Sequence, residues 1–598
     1  MIHYAYTHTR TEASTGYFSC EPHPPLGLGD CLAYLAEHPL DDFMRRHLLN
    51  RMAALSAGEA AAAIRRAFPE PPPAVQALIR ELALTAPHWR QEEALFAAPP
   101  ALDPVVRDQA TSLPLLRLGD APGRDAHADW NRAFAANIQG HRALPGPDAI
   151  GLPPLYPDIH AHAPGEAGVP ASLPARLPGF SPVFTAPFPA HIKQVHAEHA
   201  AARAADGSST AYARAPSGET AALAEERLRA AGIIAGGEMR HTASLSPIGL
   251  LRPWNIRISV RHNRHEYTLE GQATTYGRGL TLADARASCL MEMVERASAY
   301  LSLAEEGICG LAGPSPLITG TRAALLAAGH TVLDPADYPL EADCPDVPLA
   351  WMRGAAAGPE AKSVLLPVQM ASLFCNLDEI SLFDSPGSTG IATGCTPEEA
   401  KLAALLEILE RDAEATTPFS KADCFTLRAD PETDPLIAAL LADYAGRGIN
   451  VQFQDVTGPM GVPVYSCFVM SPRGAIARGY GAGLSARRAL ISALTETPFP
   501  YPDGGPSGPM LRKLPARTPR ELPEYSLDTP ARNLAMLEDL LARNHRPPVY
   551  ADLTRADLAF PVVRAFIPGM ELAADNSLFS RVPPRLYAKY LEKFTFEM

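Results

Sequence analysis

One phrase occurs three times in this chain, and it constrains the fold more than any other feature. The first copy runs from Gly279-Leu280-Thr281 through Asp284, Ala285, Ser288 and Leu290 to Glu292, Glu295 and Arg296. The second runs from Gly394-Cys395-Thr396 through Glu399, Ala400, Ala403 and Leu405 to Glu407, Glu410 and Arg411, and aligns with the first without a gap. A third, from Gly483-Leu484-Ser485 through Ala489, Ser492 and Leu494 to Glu496, keeps the spacing and stops at Pro498. Each copy predicts a helix that follows a glycine. Thr281 and Thr396 are natural N-caps with an acid three residues on (Asp284, Glu399), close to a capping box. Pro397 falls at the first helical position, where its missing N–H costs little. Ser485 is the expected cap of the third helix, although Arg488 cannot complete a box.

Segments rich in β-branched or aromatic residues at 256–260, 364–368, 450–453 and 464–470 predict strands. Strands mixed with repeated helices indicate an α/β or α+β fold, with mixed sheets flanked by helices and internal pseudo-symmetry. Helix-like apolar spacing also covers 43–55 and 74–84, separated by the proline-rich 69–73, and returns at 220–231. Three parts follow: a mainly helical N-terminal region of unassigned role (1–135), a linker dense in proline and glycine (136–204), and one unit from 205 to 598. The 60 prolines are roughly twice the usual share.

The formal charge of -14 argues against general affinity for nucleic acid or an anionic membrane, while leaving room for a local basic pocket. No apolar run approaches the ~20 residues that span a bilayer. The first residues show no basic-then-apolar secretory pattern. Nine scattered cysteines without a Cys-x-x-Cys indicate neither a disulfide framework nor a zinc knuckle. A reducing cytoplasm is the expected location.

On a helical wheel, Ser288, Glu292 and Glu295 share one face, with Leu290, Val294 and Ala297 opposite. Glu399, Ala403, Glu407 and Glu410 repeat this, with Leu405 and Leu409 behind. A single helix of this kind reads as a solvated acidic face with local Glu–Arg pairs. Recurrence in register, after a glycine each time, argues for a common purpose. Carboxylates on two related helices suit Mg²⁺, which often bridges a few acids to substrate phosphates. Arg296 and Arg411 suit phosphate oxygens.

Other constellations carry less. No Gly-x-x-x-x-Gly-Lys-Ser/Thr occurs, which argues against a P-loop. Gly479-Tyr480-Gly481-Ala482-Gly483 reads as a tight strand–helix turn. His160, His162, His191, His196 and His199 lack cysteine partners for zinc. Cys289 and Cys375 read as small buried hydrophobes, and Asn376-Leu377-Asp378-Glu379 as a surface turn.

Ser288-x-x-x-Glu292-x-x-Glu295-Arg296, preceded by Gly277-Arg278-Gly279, resembles the first nucleotide-binding signature of the YcaO family. Gly394-Cys395-Thr396-x-x-Glu399-Ala400, continuing to Glu407-x-x-Glu410-Arg411-Asp412, resembles the second. The third copy through Glu496 is similar to that family's later helix, and Gly218-Glu219-Thr220 and Val562-Val563-Arg564 also fit its pattern. The resemblance spans about 205–590 and implies ATP- and Mg²⁺-dependent activation of a backbone amide in a peptide or protein. A neighbouring side chain as nucleophile then gives an azoline, and an external sulfur donor a thioamide. By this resemblance Glu292, Glu295, Glu407 and Glu410 hold the magnesium ions and the triphosphate. Glu399 supports them, Ser288, Arg296 and Arg411 contact or orient the nucleotide, and Glu496 belongs to the same binding set. A sulfur-delivery or substrate-recognition protein and a second copy of the chain are the implied partners.

The chain departs from the family at four places. Arg278 replaces a usual lysine, Cys395 a usual asparagine, no lysine stands near Ala213 and Arg214, and Thr497-Pro498-Phe499-Pro500 follows Glu496. The end, 594–598, lacks the proline-alternating tail of azoline-forming members, which tilts the reading toward thioamide chemistry. A catalytically weak accessory protein that binds peptide or partner is the rival reading.

Overall fold

The computed structural model describes residues 1–9, 17–85, 181–206, 212–340, 344–373, 376–383, 387–472, 476–572, 583–586 and 588–589. Most of the proline-rich segment expected to be a linker, together with His160, His162, Cys375 and 594–598, lies outside the described residues.

Three sheets organise the molecule. The first holds β1 (Ile2–Thr9), β2 (Tyr17–Pro22), β3 (Met239–Arg240), β4 (Ile248–His262), β5 (His265–Gly279), β6 (Ser302–Ala304) and β7 (Gly307–Cys309), in the order β2-β1-β5-β4-β6-β7 with β3 beside β4. The second begins with β8 (Ile318–Gly320), β9 (Leu349–Ala356), β10 (Ser363–Pro367) and β11 (Ile391–Thr393). The third is β12 (Cys424–Leu427), β13 (Gln452–Asp455), β14 (Val464–Met470), β15 (Ile476–Ala482) and β16 (Ala516–Arg517), ordered β15-β14-β13-β12-β16. β17 (Val549–Asp552) and β18 (Val562–Phe566) return to the second sheet, ordered β10-β9-β17-β18-β11. The four predicted strands fall in β4, β10, β13 and β14. The fold is mixed α/β, as expected.

Each sheet delivers one copy of the repeated phrase. β5 leads into the first repeat helix (Leu282–Ala299), β11 into the second (Pro397–Thr416) and β15 into the third (Ala486–Glu496). Thr281 and Thr396 accept hydrogen bonds from the backbone N–H of Asp284 and Glu399 at 3.2 Å, so both are side-chain caps. Ser485 holds the cap position without such a bond, which corrects the expectation for the third helix. Its backbone instead bridges to Glu524.

Glycine permits each helix to lie back on its own strand. A Cβ on Gly277 would stand 2.1 Å from the Ala285 carbonyl oxygen, and one on Gly481 2.2 Å from that of Ala489. Both glycines precede the N-cap by four residues, so the close approach recurs with the motif. Those contacts are with backbone and cannot rotate away. Gly277→Ala is expected to lower stability by at least about 2 kcal/mol, measured by denaturant unfolding. An unchanged midpoint would overturn the close-contact argument.

Beyond its own strand, the first repeat helix reaches β11 and β18, the second meets β15 and β14, and the third touches β5. The three units therefore close on one another. β14, packed by the second and third helices, is buried along its whole length.

The N-terminal region contains the expected helices, Asp42–Ala53 and Pro73–Thr85 among them. It also contributes β1, which runs parallel to β5 with Ile2 opposite Tyr267, a strand the apolar pattern did not reveal. Asn376 joins this region to the sheets: its side chain accepts from the Asp42 N–H and donates to Asp41 Oδ1, both at 2.9 Å. Arg264 grips both oxygens of Asp378, at 2.8 and 2.6 Å. Glu379 is buried, accepts from Ala350 N–H and the Gln369 amide, and is pushed up to about 7 by burial. The turn is thus an interior joint, not the surface turn expected from its polarity. Among the described residues, no helix is long and apolar enough to cross a membrane.

Candidate functional site

The acidic faces of the repeat helices point inward, toward the seam where the three units meet. Leu290, Val294 and Ala297 on the first helix, and Leu405 and Leu409 on the second, are buried as the wheel requires. The opposite face is partly covered as well, although Ser288 and Ala403 stay exposed. Glu410 is only 8% exposed, and Glu295 and Glu407 are half-buried. The surface-helix reading is therefore excluded, because a second and a third unit cover what one helix alone would expose to water.

Strand backbone anchors part of the acid set. Tyr276 N–H donates to Glu292 Oε2 at 3.1 Å, Arg278 N–H to Ser288 Oγ at 3.3 Å, and Ala482 N–H to Glu410 Oε2 at 3.0 Å. Glu410 is thus held by the third unit although it belongs to the second. Glu399 accepts from the Cys395 N–H and the Tyr212 hydroxyl, each at 2.9 Å, and lies 3.4 Å from Arg214 Nε. It stands at the start of its helix, apart from the Glu-x-x-Glu pair.

Arginines partly offset this charge. Arg296 Nη1 lies 2.8 Å from Glu295 Oε1 and Nη2 3.6 Å from Glu292 Oε1. Arg411 lies 3.3 Å from Glu410 and 2.9 Å from Glu414. Arg278 donates to Glu496 Oε1 at 2.6 Å, tying the first unit to the end of the third helix.

The compensation is incomplete. Burial pushes the Glu295 carboxyl up to about 8, against the pull of Arg296, and Glu407 and Glu292 push it further. Glu410 is raised by burial, then by repulsion from Glu496 and Glu407, against Arg411. Glu407 is raised by burial and by Glu496, against Arg411 and Arg296. Carboxylates from three helices thus destabilise one another's charged forms, which is the electrostatic condition a bound cation relieves.

Among the described residues, no three His, Cys, Asp or Glu side chains group closely enough to enclose a metal ion by themselves. Oxygen donors in this looser arrangement fit Mg²⁺, which retains water and takes one or two carboxylates together with phosphate oxygens. They do not fit zinc, and the histidines have other duties: His199 pairs with Asp539 at 3.0 Å, and His196 packs on Tyr525. Cys289 is buried against Thr275, with its thiol pushed up to about 12 by burial, as befits a small hydrophobe.

Arg564 on β18 was given no role from sequence. Its guanidinium is buried, donates to the carbonyls of Ser372 and Gly387 at 3.1 Å, and acts electrostatically on Glu407. Asp412, directly after Glu410-Arg411, faces the other way: it accepts from Glu571 N–H at 2.7 Å and pairs with Arg585. The only signal for either was its place beside a motif.

Three strand–glycine–helix units that pool buried carboxylates and arginines at one seam define an internally repeated α/β protein with an acidic site suited to a hard cation. Residues 276–498 match the family model described as YcaO cyclodehydratase, ATP- and Mg²⁺-binding. That stretch, less than half of the chain, is similar to the YcaO family. A protein of Methanothermobacter thermautotrophicus, described as uncharacterized, is 26% identical over 337 residues, covering 51% of this chain and 83% of its own length. Among solved structures, a heterocyclase in complex with substrate and cofactor is 17% identical, with 58% of this chain and 52% of that chain covered and a TM-score of 0.45. The chain thus spans about half the length of that heterocyclase. YcaO from Methanopyrus kandleri, bound with AMPPCP and Mg²⁺, is 19% identical, with 61% and 94% covered and a TM-score of 0.43.

Proposed function

We propose that this chain activates a backbone amide of a peptide or protein by ATP- and Mg²⁺-dependent phosphorylation of the amide oxygen, giving a thioamide or an azoline. The observation that carries the reading is the convergence of Glu292, Glu295, Glu407, Glu410 and Glu496 from three helices into one seam where their charges are mutually unfavourable. In this reading Glu292, Glu295, Glu407 and Glu410 hold the metal ions. Ser288, Arg296, Arg411 and Glu496 orient the nucleotide, and Glu399 fixes the start of the second helix. Magnesium-bound ATP supplies the phosphoryl group and neutralises the charge that develops as it moves.

The chain's own part is positioning and exclusion of water. Backbone N–H groups lock Glu292 and Glu410, which lowers the reorganisation needed when ligand arrives. Arg296 and Arg411 stand next to the acids and can accompany phosphate oxygens at little cost in movement. An amide oxygen is a poor leaving group until phosphorylated; a sulfur nucleophile or a neighbouring Cys, Ser or Thr side chain bonds to the carbonyl carbon, and the phosphorylated oxygen departs as phosphate.

One observation favours a second reading, an accessory protein that presents peptide to another enzyme. Cys395 Sγ lies 3.6 Å from Thr220 Oγ1, a weaker contact than an amide side chain makes. The purified chain should release phosphate from ATP only with Mg²⁺. Co-expression with a peptide encoded beside it should change that peptide's mass, by loss of water for an azoline or exchange of oxygen for sulfur for a thioamide. Absence of ATP turnover, with or without peptide, would favour the accessory reading.

A further inference from the structure

Arg278 links two units. Its N–H is tied to Ser288 on the first repeat helix, while its guanidinium crosses to Glu496, the last residue of the third. Glu496 needs that cation. It sits where unpaired helix carbonyls concentrate negative charge, and it is the like charge acting most strongly on Glu410 and also repels Glu407. The pair lies on the water side of the seam: the Arg278 and Glu496 side chains are 39% and 23% exposed, against 10% for Glu410. One cation and one anion thus face each other at the mouth of a buried acidic site, each with a stronger partner available in a magnesium–nucleotide. A guanidinium matches phosphate oxygens as well as carboxylate oxygens, and a carboxylate released from arginine is a ligand for Mg²⁺.

We infer that Arg278 is a positioning residue, and that its ion pair with Glu496 is a latch opened by exchange of partners: arginine to the polyphosphate, glutamate to the cation. The inference rests on the nucleotide reading above. No covalent bond changes; two ion pairs replace one. The latch ties the first unit to the third while the nucleotide is absent, and the exchange couples the seam's opening to occupancy of the site.

The test is calorimetric titration of the full-length chain with AMPPCP, with and without Mg²⁺. Arg278→Ala should weaken both forms by about tenfold, and Arg278→Lys should recover most of that loss. Glu496→Gln should weaken only the magnesium form and should tighten metal-free AMPPCP, because it frees Arg278. That opposite sign is the signature of a latch, since a merely structural pair weakens both forms in both variants. If Glu496→Gln weakens metal-free AMPPCP as Arg278→Ala does, the latch is wrong although the nucleotide site stands. If the wild-type chain binds neither form, the nucleotide reading itself fails, and the latch with it.

Discussion

Glu410→Gln is expected to lower ATP turnover by about a thousandfold and, in the same protein, to raise the unfolding midpoint without ligand. The two signs come from one cause. Glu410 is buried between the second and third units and repelled by Glu496 and Glu407. Glutamine keeps the shape, and its oxygen can still accept the Ala482 N–H, while the charge disappears. Removing the charge relieves the repulsion and, in the proposed reading, removes an anionic metal ligand, an effect on rate comparable to losing a key electrostatic group. A gain of about 2 °C or more at pH 8.5 would be readable by calorimetry. A carboxylate retained only to stabilise the fold would give the reverse, a lower midpoint with turnover intact.

Binding of magnesium–AMPPCP should expel protons below pH 8 and tighten as pH rises. Glu295 has its carboxyl pushed up to about 8, and Glu410 and Glu407 are raised as well. At pH 6.5 Glu295 and Glu410 hold protons that a cation must displace. Each displaced proton makes affinity climb about tenfold per pH unit until the carboxyl ionises by itself. Two displaced protons give about a hundredfold between pH 6.5 and 7.5. The ligand-free protein follows the opposite course: a raised carboxyl favours the fold fully below its unfolded value near 4.5, and that contribution is lost as pH rises through 8. Calorimetry in buffers of different ionisation enthalpy counts the protons directly. Affinity independent of pH from 6.5 to 8.5 would mean that these acids are already ionised in the free site.

Much of this was legible because the repeat speaks locally. Gly279, Thr281 and Asp284, or Gly394, Thr396 and Glu399, specify turn, cap and first turn within a few residues, and the helices start where those residues demand. The same spacing put Glu292 with Glu295, and Glu407 with Glu410, on single faces. Local pattern failed where a distant partner decided the outcome. Asn376-Leu377-Asp378-Glu379 reads as surface by polarity, yet the N-terminal helices and Arg264 cover it and satisfy each polar group. β1 was missed because a short stretch of mixed polarity becomes a strand only when β5 offers an edge. Ser485 looked like a cap, and its place was taken up by pairing with Glu524 instead.

By itself the sequence determined the three units: where each helix begins, which side packs, and which acids travel together, since these follow from bond geometry and periodicity over at most about twenty residues. Only the tertiary structure decided that the two acidic faces meet each other and Glu496 of the third helix. That closure covers the glutamates in part, raises Glu295, Glu407 and Glu410 by desolvation and mutual repulsion, and brings Arg278 to Glu496 across 218 residues of chain. Charge interactions depend on distance and on the exclusion of water, and neither is written in the order of residues along one helix.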